Sequence, residues 1–300
     1  MRAVPKADIV GVPVPAGTLA RALDRHHDYR VLRRIQPMDV RQPRFKRTDE
    51  LTVCVLDTET TGLDPRNDRI IELALQNVRI DEHGRIVDSG LSRSWLEDPG
   101  EPLLPEIVKV TGLTDAQLAG KSIHDGEAYG AITSADVVVC HNAAFDRPFV
   151  EERLGVRGQA WICSMNDMDW REHGFEGRSQ TQLLLQCGWF YDAHRAASDV
   201  NALLHLIDHR LDTGGTVMRE LLRTAARPTW RIEMTEAPFA ARVALKGRGY
   251  RWNAERKVWW CEVSEAKMVD ETEFARDYVY GGAGSPKVEP VTWRERYSHR

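Results

Sequence analysis

The chain has 300 residues, of which 42% are apolar and 29% are charged, and its formal net charge is −4. This composition is typical of a globular protein and excludes a fibrous or wholly disordered chain. No segment approaches the eighteen consecutive apolar residues of a transmembrane helix, and the amino-terminal apolar run is too short and proline-broken for a signal peptide. The lack of such a segment predicts no membrane partner. The five cysteines include no C-x-x-C pair, which predicts reduced core residues of a cytoplasmic protein.

The charge is distributed unevenly along the chain. Residues 1–50 carry 11 basic and 6 acidic side chains, residues 51–227 carry 17 and 28, and residues 228–300 carry 13 and 11. An acidic centre between basic flanks suits a metal site that receives a polyanion, but it also lies within ordinary variation. The charge pattern alone therefore decides little.

Residues 1–50 are predicted to be an amino-terminal extension that wraps the main domain. Apolar residues mark a short helix over 18–31, and prolines interrupt the polar stretch that follows it. The extension ends in a basic linker, and its sequence indicates no chemistry.

From Leu51 to residue 227 the pattern is that of an α/β domain. Strands are predicted over 51–57, 70–80, 85–95, 136–140 and 161–163, with a hairpin turn at 81–84. Helices are predicted over 105–110, 114–118 with Thr114 as N-cap, 125–132, 179–186, 197–211 and 216–226, and another opens after residue 141. Hairpin-connected strands followed by alternating helices and strands predict a mixed central sheet with helices on both faces.

A small α+β unit is predicted over 228–280. Its elements are a strand at 230–234, a helix at 237–246, a hairpin at 250–263 and a helix at 264–278. Residues 281–300 open with GGAG and are predicted to form a flexible tail.

Two carboxylates, Asp57 and Glu59, follow the apolar run of the first strand. Side chains at positions i and i+2 of a strand point the same way, so the two acids should lie side by side. Adjacent like charges favour a counter-ion, and a divalent metal suits clustered carboxylate oxygens. A lone pair of this kind is more often simply solvated.

Three further residues complete a candidate site: Asp146 near the start of a helix, and His194 and Asp199 at the entry and first turns of another. Strand ends and helix starts are where open α/β sheets assemble their sites. Taken singly, each acid is more often a surface residue that stabilises the helix dipole, and the histidine is more often a cap or solvated. Together, and with their flanking sequences, they favour a functional site.

The sequences DTETTG at 57–62, HNAAFD at 141–146 and HRAASD at 194–199 resemble the three exonuclease motifs of the DnaQ-like DEDDh 3′–5′ exonucleases. That family includes the proofreading epsilon subunit of bacterial DNA polymerase III, ribonuclease T and oligoribonuclease. The resemblance covers about residues 51–211. It implies a ribonuclease-H-like fold and a mechanism with two divalent ions, Mg²⁺ or Mn²⁺.

The resemblance also implies a role for each site residue. Asp57, Glu59, Asp146 and Asp199 would bind the ions, with Asp57 between them and Asp146 acting through water. His194 would be the general base for the attacking water, since an unperturbed imidazole titrates near neutral pH. The product would be a nucleoside 5′-monophosphate.

In the family, the backbone just after the second acid contacts the terminal 3′-hydroxyl, and a nearby side chain wedges against the last base. Thr60 and Leu63 occupy these places, so the resemblance implies that they recognise a 3′ end. Phe145 could stack on a base or sugar, or simply pack in the core. Asn142 is expected to fix its loop by hydrogen bonds more than to touch substrate, and His141 could do either.

The hairpin of the small unit alternates cations and aromatic rings. Six basic residues and one acid lie between positions 242 and 260, with four aromatic residues among them. This pattern suits single-stranded nucleic acid, although Trp252 and Trp259 could equally form the core of a small domain. One of Trp259 and Trp260 should face outward. The candidate contacts are Arg248, Tyr250, Arg251, Trp252 and Trp260.

The leading hypothesis is a metal-dependent 3′–5′ exonuclease acting on DNA, with single-stranded DNA favoured, in proofreading or repair. A 3′–5′ exoribonuclease in RNA maturation is the alternative enzyme, because the same five residues serve both substrates. A third hypothesis is a nucleic-acid-binding, polymerase-accessory protein with a vestigial site, against which the intact set of five argues. Association with a polymerase or replication complex is left open.

Overall fold

The computed structural model describes residues 14–39, 45 and 47–298. The helices are α1 (Ala16–Asp24), α2 (Pro105–Thr111), α3 (Asp115–Leu118), α4 (Asp125–Thr133), α5 (Ala143–Leu154), α6 (Gln180–Gln186), α7 (Ala196–Asp208), α8 (Val217–Ala225), α9 (Arg242–Gly247) and α10 (Glu265–Phe274). The strands are β1 (Arg33–Arg34), β2 (Leu51–Thr60), β3 (Ile70–Ile80), β4 (Ile86–Ser89), β5 (Arg93–Leu96), β6 (Val137–Cys140), β7 (Trp161–Cys163), β8 (Trp189–Phe190), β9 (Thr229–Met234), β10 (Arg251–Asn253), β11 (Val258–Ser264) and β12 (Lys287–Val291).

The central sheet is mixed, with the strand order β4-β3-β2-β6-β7 and β5 also paired with β3. β2 runs antiparallel to β3 from the Leu51–Ile80 pair onward, and parallel to β6, which is parallel to β7. Parallel strands need crossover connections, which the helices provide. The ribonuclease-H-like α/β fold expected from the sequence is confirmed.

Both faces of this sheet are covered, which explains its uninterrupted apolar strands. Val53 and Val55 of β2 pack with α6, α7 and α8 on one face. Cys54 and Leu56, which alternate with them, pack with α4 and α5 on the other. β2 is therefore buried up to its carboxyl end, where its polar residues begin.

The prediction of a single strand over 85–95 is wrong, because the structure has two strands there, β4 and β5. Gly90 lies between them, where its backbone N–H donates to the Asn77 carbonyl at 2.8 Å. A Cβ at this position would lie 3.0 Å from that carbonyl oxygen. The expected N-cap at Thr114 is present, in a reciprocal capping box with Gln117.

The amino-terminal segment lies against the unit that contains the central sheet. β1 pairs with β8 in parallel, and the Met38 backbone N–H donates to the Asn201 side chain at 2.8 Å. Its helix is shorter than the predicted 18–31 and has no buried residue. Most of the basic linker, residues 40–44 and 46, lies outside the described residues.

A second sheet, β10-β11-β9-β12, forms the carboxyl-terminal unit. One face packs against helices through a small cluster that includes Ile232, Leu245 and Cys261. The prediction of a flexible tail from Gly281 is wrong from Lys287 onward, because β12 pairs with β9 along its length. Helices long and apolar enough to cross a membrane do not occur in the described part of the chain.

The residues after β12 return to the unit that contains the central sheet. The Trp293 carbonyl accepts from the Trp161 backbone N–H at 2.9 Å. The buried Arg147 guanidinium donates to the carbonyls of Arg296 and Arg294 at 2.6 and 2.7 Å. We call residues 293–298 the clasp, because they join the second sheet to the helix that carries Asp146. The boundaries proposed after residues 50, 227 and 280 stay predictions.

Candidate active site

The carboxyl end of β2 and the first turn of α7 bring three carboxylates together. Asp57 and Glu59 lie on one face of β2, as their i, i+2 spacing predicts, and both are half-buried. One oxygen each of Asp57, Glu59 and Asp199 lies within 4.8 Å of the others. A register shift between Glu59 and Thr60 ends the regular pairing with β3 at this point.

The fourth acid, Asp146, lies in the first turn of α5 and is buried. Its Oδ1 accepts from the backbone N–H of Thr58 at 3.0 Å and from the Thr58 hydroxyl at 2.8 Å. Thr58 is the residue between the two acids of β2, so the strand that carries these two acids also positions Asp146. Sequence reasoning did not single out Thr58. Asp146 is not one of the three carboxylates that lie within 4.8 Å of one another.

The electrostatics of these acids are dominated by burial and mutual repulsion. Burial, and then the charges of Asp146 and Asp199, raise the pKa of Asp57 well above its ordinary value. Burial and Asp199 raise the pKa of Glu59 to about 8, and burial raises the pKa of Asp146 to about 7. The ionised cluster is therefore unfavourable without a cation.

Asp199 is held by its own hydrogen bonds. The Tyr191 hydroxyl donates to its Oδ1 at 2.8 Å, and the Arg195 backbone N–H donates to its Oδ2 at 3.1 Å. Burial raises the pKa of Asp199, and the bond from Tyr191 opposes that rise. Tyr191 is a second site residue that sequence reasoning missed.

His194 precedes α7, is exposed, and has a left-handed backbone with φ 67°. A non-glycine residue in this region needs support from its surroundings. The next residue, Arg195, supplies that support through two contacts. Its backbone N–H donates to Asp199, and its guanidinium donates to Glu72, with 3.0 Å between Nε and Oε2. His194 is thus held beside the carboxylate cluster on the solvent side.

Glu72 is the third missed residue. It is 1% exposed and lies directly opposite Glu59 in the β2–β3 ladder. Like charges directly opposite each other destabilise a sheet, and here Arg195 and the Ala196 backbone N–H compensate the second charge. The signal was available: a lone acid in the apolar run IIELAL of β3.

The carboxylate cluster fits a hard divalent cation. Its donors are carboxylate oxygens only, which Mg²⁺ and Mn²⁺ prefer to soft or nitrogen ligands. Arg195 lowers the pKa of Glu59, yet burial and the neighbouring acids outweigh it and keep that pKa at about 8. A bound metal would remove this repulsion.

The residues expected to recognise a 3′ end follow Glu59 or precede Asp146 in the chain. The Thr60 hydroxyl donates to the Gly62 carbonyl at 2.5 Å, and Leu63 is 84% exposed in the following loop. Phe145 packs on Phe149, with 5.1 Å between ring centroids, and is only partly buried.

The two polar residues expected near Phe145 have structural contacts. Asn142 has φ 83°, and its carbonyl accepts from the Phe145 N–H at 2.8 Å, which turns the chain from β6 into α5. His141 Nδ1 lies 2.8 Å from the Ser164 hydroxyl, and burial lowers the His141 pKa to about 4.

The five candidate nucleic-acid contacts of the second sheet separate into two groups. Arg251 and Trp260 are cross-strand neighbours and share a cavity of about 640 Å³ with Leu63 and Phe145. The other three do not line that cavity. Arg248 pairs with Glu271 at 2.8 Å, the buried Tyr250 donates to the same acid, and the half-exposed Trp252 packs on Trp259. Their roles as nucleic-acid contacts stay predictions.

Comparison with known proteins assigns the chain to a family. Residues 54–207 match the RNase_T family model, described as Exonuclease. The chain belongs to this exonuclease family. The matched segment contains the four acids and His194, and it includes β2, β6, α5 and α7, which carry or precede them.

Two similar proteins have names that refer to DNA polymerase III. The chain is 34% identical over 113 residues to a PolC-type DNA polymerase III of Listeria monocytogenes, covering 36% of this chain and 7% of that protein. It is 31% identical over 204 residues to a DNA polymerase III subunit epsilon-like protein of Rhodobacter capsulatus, covering 67% and 25%. The chain thus spans only a small part of the relatives it matches. The DnaQ-like resemblance of the three motifs is confirmed.

Two solved structures show more distant likeness. Escherichia coli exonuclease I in complex with a dA16 oligonucleotide aligns with a TM-score of 0.47 and 16% identity, over 82% of this chain and 64% of that chain. Exonuclease X in complex with 5′-overhanging duplex DNA aligns with a TM-score of 0.41 and 23% identity, over 58% and 92%. Neither likeness is close enough to assign a substrate.

Proposed function

We propose that this exonuclease-family chain is a metal-dependent 3′–5′ exonuclease that hydrolyses DNA to nucleoside 5′-monophosphates. The observation that supports it most is the cluster of Asp57, Glu59 and Asp199 within 4.8 Å, with Asp146 buried behind it. The family match establishes a nuclease, and the polymerase III names of the relatives favour DNA. By the same names, a proofreading or repair role beside a polymerase is the proposed context.

Asp57, Glu59 and Asp199 would hold two divalent ions, Mg²⁺ or Mn²⁺, with Asp146 contributing through water. When bound, the ions would clamp the scissile phosphate and stabilise the charge of the attacking and leaving oxygens. The hydrogen bonds from Thr58, Tyr191 and Arg195 fix the carboxylates before substrate arrives. Fixed donors of this kind lower the reorganisation needed during the reaction.

His194 acts in this proposal as the general base. Its exposed position beside Asp199 lets the imidazole accept a proton from water that attacks the terminal phosphodiester. The bond between phosphorus and O3′ of the shortened chain breaks, so the released nucleotide keeps its 5′-phosphate. The shortened chain gains a new 3′-hydroxyl after protonation of its leaving oxygen.

The experiment that tests this proposal compares labelled single strands. A 5′-labelled DNA oligonucleotide, incubated with Mn²⁺ or Mg²⁺, should give a ladder of progressively shorter labelled products. Early release of a labelled mononucleotide would show the opposite polarity. Mass spectrometry should identify nucleoside 5′-monophosphates as the other product.

An exoribonuclease is the second candidate, because the matching family model carries the name of a ribonuclease. A matched RNA oligonucleotide in the same assay separates the two. Faster hydrolysis of RNA than of DNA would reassign the substrate while leaving the mechanism in place.

A further inference from the structure

Two cavities lie between the second sheet and the unit of the central sheet, which carries the candidate active site and which we call the catalytic unit. The first, about 640 Å³, is the one that Leu63 and Phe145 share with Arg251 and Trp260, and the second is about 980 Å³. Both are lined by the same central residues: Asn166, Asp167, Thr229, Ser264 and Arg296. The two cavities therefore adjoin each other, and we call them together the interunit groove.

The first cavity is lined by two residues that lie close in sequence to the acids of the candidate site. Leu63 lies four residues after Glu59, and Phe145 immediately precedes Asp146. Both side chains line the first cavity. The loop after Glu59 and the start of the helix that carries Asp146 therefore form one part of the groove wall.

The wall opposite the catalytic unit is a column of two guanidinium groups and an indole. The Arg251 guanidinium lies 4.1 Å from the centroid of Trp260, and that of Arg231 lies 4.9 Å from it. Guanidinium and indole planes are the surfaces on which nucleic-acid bases stack, while guanidinium N–H groups bind phosphate. Arg231 lies 3.7 Å from Glu262, whereas Arg251 makes no ion pair with an acid within the described ranges.

The second cavity continues the positive charge. Arg171, Arg178 and Arg227 line it, and none of them pairs with a carboxylate in the part of the chain that the structure describes. Over both cavities, six arginines face four acids, and one of those acids, Asp167, is already bound to Arg296. The groove thus carries an excess of basic side chains next to a catalytic unit whose sequence is acidic.

We propose that the interunit groove holds the single-stranded nucleic acid upstream of the 3′ end, with the Arg231–Trp260–Arg251 column as its main contact. This inference rests on the proposed exonuclease function and adds to it the strand's route and the second sheet's role. It assigns nucleic-acid contact to Arg231, which the sequence pattern did not suggest, and withholds it from Arg248, Tyr250 and Trp252.

A matched pair of charge reversals tests the groove. Arg251 and Arg242 are both exposed arginines stacked on an aromatic ring, at 4.1 and 4.0 Å, but Arg242 stacks on Phe239 outside the groove. The measurement is kcat/KM of the full chain on a single-stranded DNA of about twelve nucleotides, divided by kcat/KM on a dinucleotide. A partly misfolded variant lowers both values equally and leaves this ratio unchanged.

Wild type should prefer the longer strand, and Arg251→Glu should reduce the ratio at least tenfold. Arg242→Glu should leave the ratio at the wild-type value. Arg178→Glu, in the second cavity, should also reduce it. Equal hydrolysis of both lengths by wild type would refute the proposed role of the groove. An unchanged ratio in Arg251→Glu, including an equal fall of kcat/KM on both substrates, would refute it as well. Failure of wild type to shorten any strand from its 3′ end would instead refute the proposed function.

Discussion

The catalytic cluster and the clasp are both built from buried charged groups, but they balance their charges differently. In the cluster, acids from β2, α5 and α7 face one another, and repulsion and burial raise the pKa of Asp57 and its neighbours. In the clasp, Arg296 lies 3.0 Å from Asp167 and donates at 2.7 Å to the Arg227 carbonyl. In the first region the acids repel one another, whereas in the second an arginine pairs with the acid.

This difference shows which charges serve binding and which serve folding. A buried ion pair is self-sufficient and contributes to structure, whereas an uncompensated group of acids keeps its electrostatic cost until a ligand arrives. Mutations should therefore act in opposite directions in the two regions. Loss of charge should cost activity but not stability in the cluster, and stability first in the clasp.

The largest effect is expected at Asp57. Asp57→Asn should lower the exonuclease rate by about 10³-fold or more, because the central carboxylate of the cluster is lost. The same variant should melt at a higher temperature than wild type in the absence of metal at pH 8, because a repulsive buried charge is removed. Oligonucleotide cleavage and calorimetry measure the two effects. Asp212→Asn, an exposed acid elsewhere, is the control and should change neither.

His194→Gln should lower kcat by ~10²–10⁴-fold, which is the usual contribution of a general base. The variant should still gain thermal stability from Mn²⁺ as wild type does, because the carboxylates are intact. Its rate should also lose the part of the pH dependence that a base contributes. A rate close to that of wild type would show that His194 is not the general base. The control is His83→Gln, which replaces another exposed histidine and should leave the rate unchanged.

In the clasp, Arg296→Ala should reduce the free energy of unfolding by ~3–5 kcal/mol, because Asp167 stays buried without its partner. Urea denaturation measures this loss. Arg294→Ala is the matched control. Its exposed side chain donates to the Gly158 carbonyl and forms no ion pair with the described residues, and its own carbonyl still accepts from Arg147. That change should cost about 1 kcal/mol or less. Similar losses of unfolding free energy in the two variants would contradict the special importance of the Arg296–Asp167 ion pair.

The smallest effect is a pH-dependent shift in thermal stability. The cluster pKa values of about 8 for Glu59 and about 7 for Asp146 exceed the value of about 4 of an unfolded carboxyl group. The folded metal-free chain therefore binds more protons than the unfolded chain, so this contribution to stability is full below pH ~4 and is lost as the pH rises towards 8.

A metal that binds the ionised cluster should consequently raise the melting temperature more at pH 8 than at pH 6. Differential scanning fluorimetry with Mn²⁺ and with a chelator measures the difference. Asp57→Asn should show a much smaller metal effect at both pH values. An equal metal effect at both pH values in wild type would argue against proton competition at these acids.

The strands, the main helices and the acid motifs could be predicted because each leaves a local pattern. The apolar run before Asp57 and the i, i+2 acids determine the end of β2 from the sequence alone. Thr114 with Gln117 likewise marks a helix start through local hydrogen bonds. For such elements, the neighbours that determine the structure lie within a few residues.

The parts that were missed depend on distant partners. Glu72 meets Arg195 across 123 residues, and Arg296 meets Asp167 across 129, so neither pair leaves a periodic signal. The tail contains GGAG, which is typical of flexible segments, yet β12 is fixed by pairing with β9. The glycines indicated a loop between α10 and β12 but gave no information about the strand and the clasp beyond it.

The bonds between Arg147 and the clasp carbonyls also set an order of assembly. During synthesis, Asp146 and Arg147 leave the ribosome long before residues 294 and 296, which follow Arg147 by 147 and 149 positions. Contacts of such large sequence separation form late and slow the folding of a chain. Until they form, the helix that carries Asp146 contains a guanidinium without its backbone acceptors. Completion of the nuclease site is thereby coupled to completion of the second sheet.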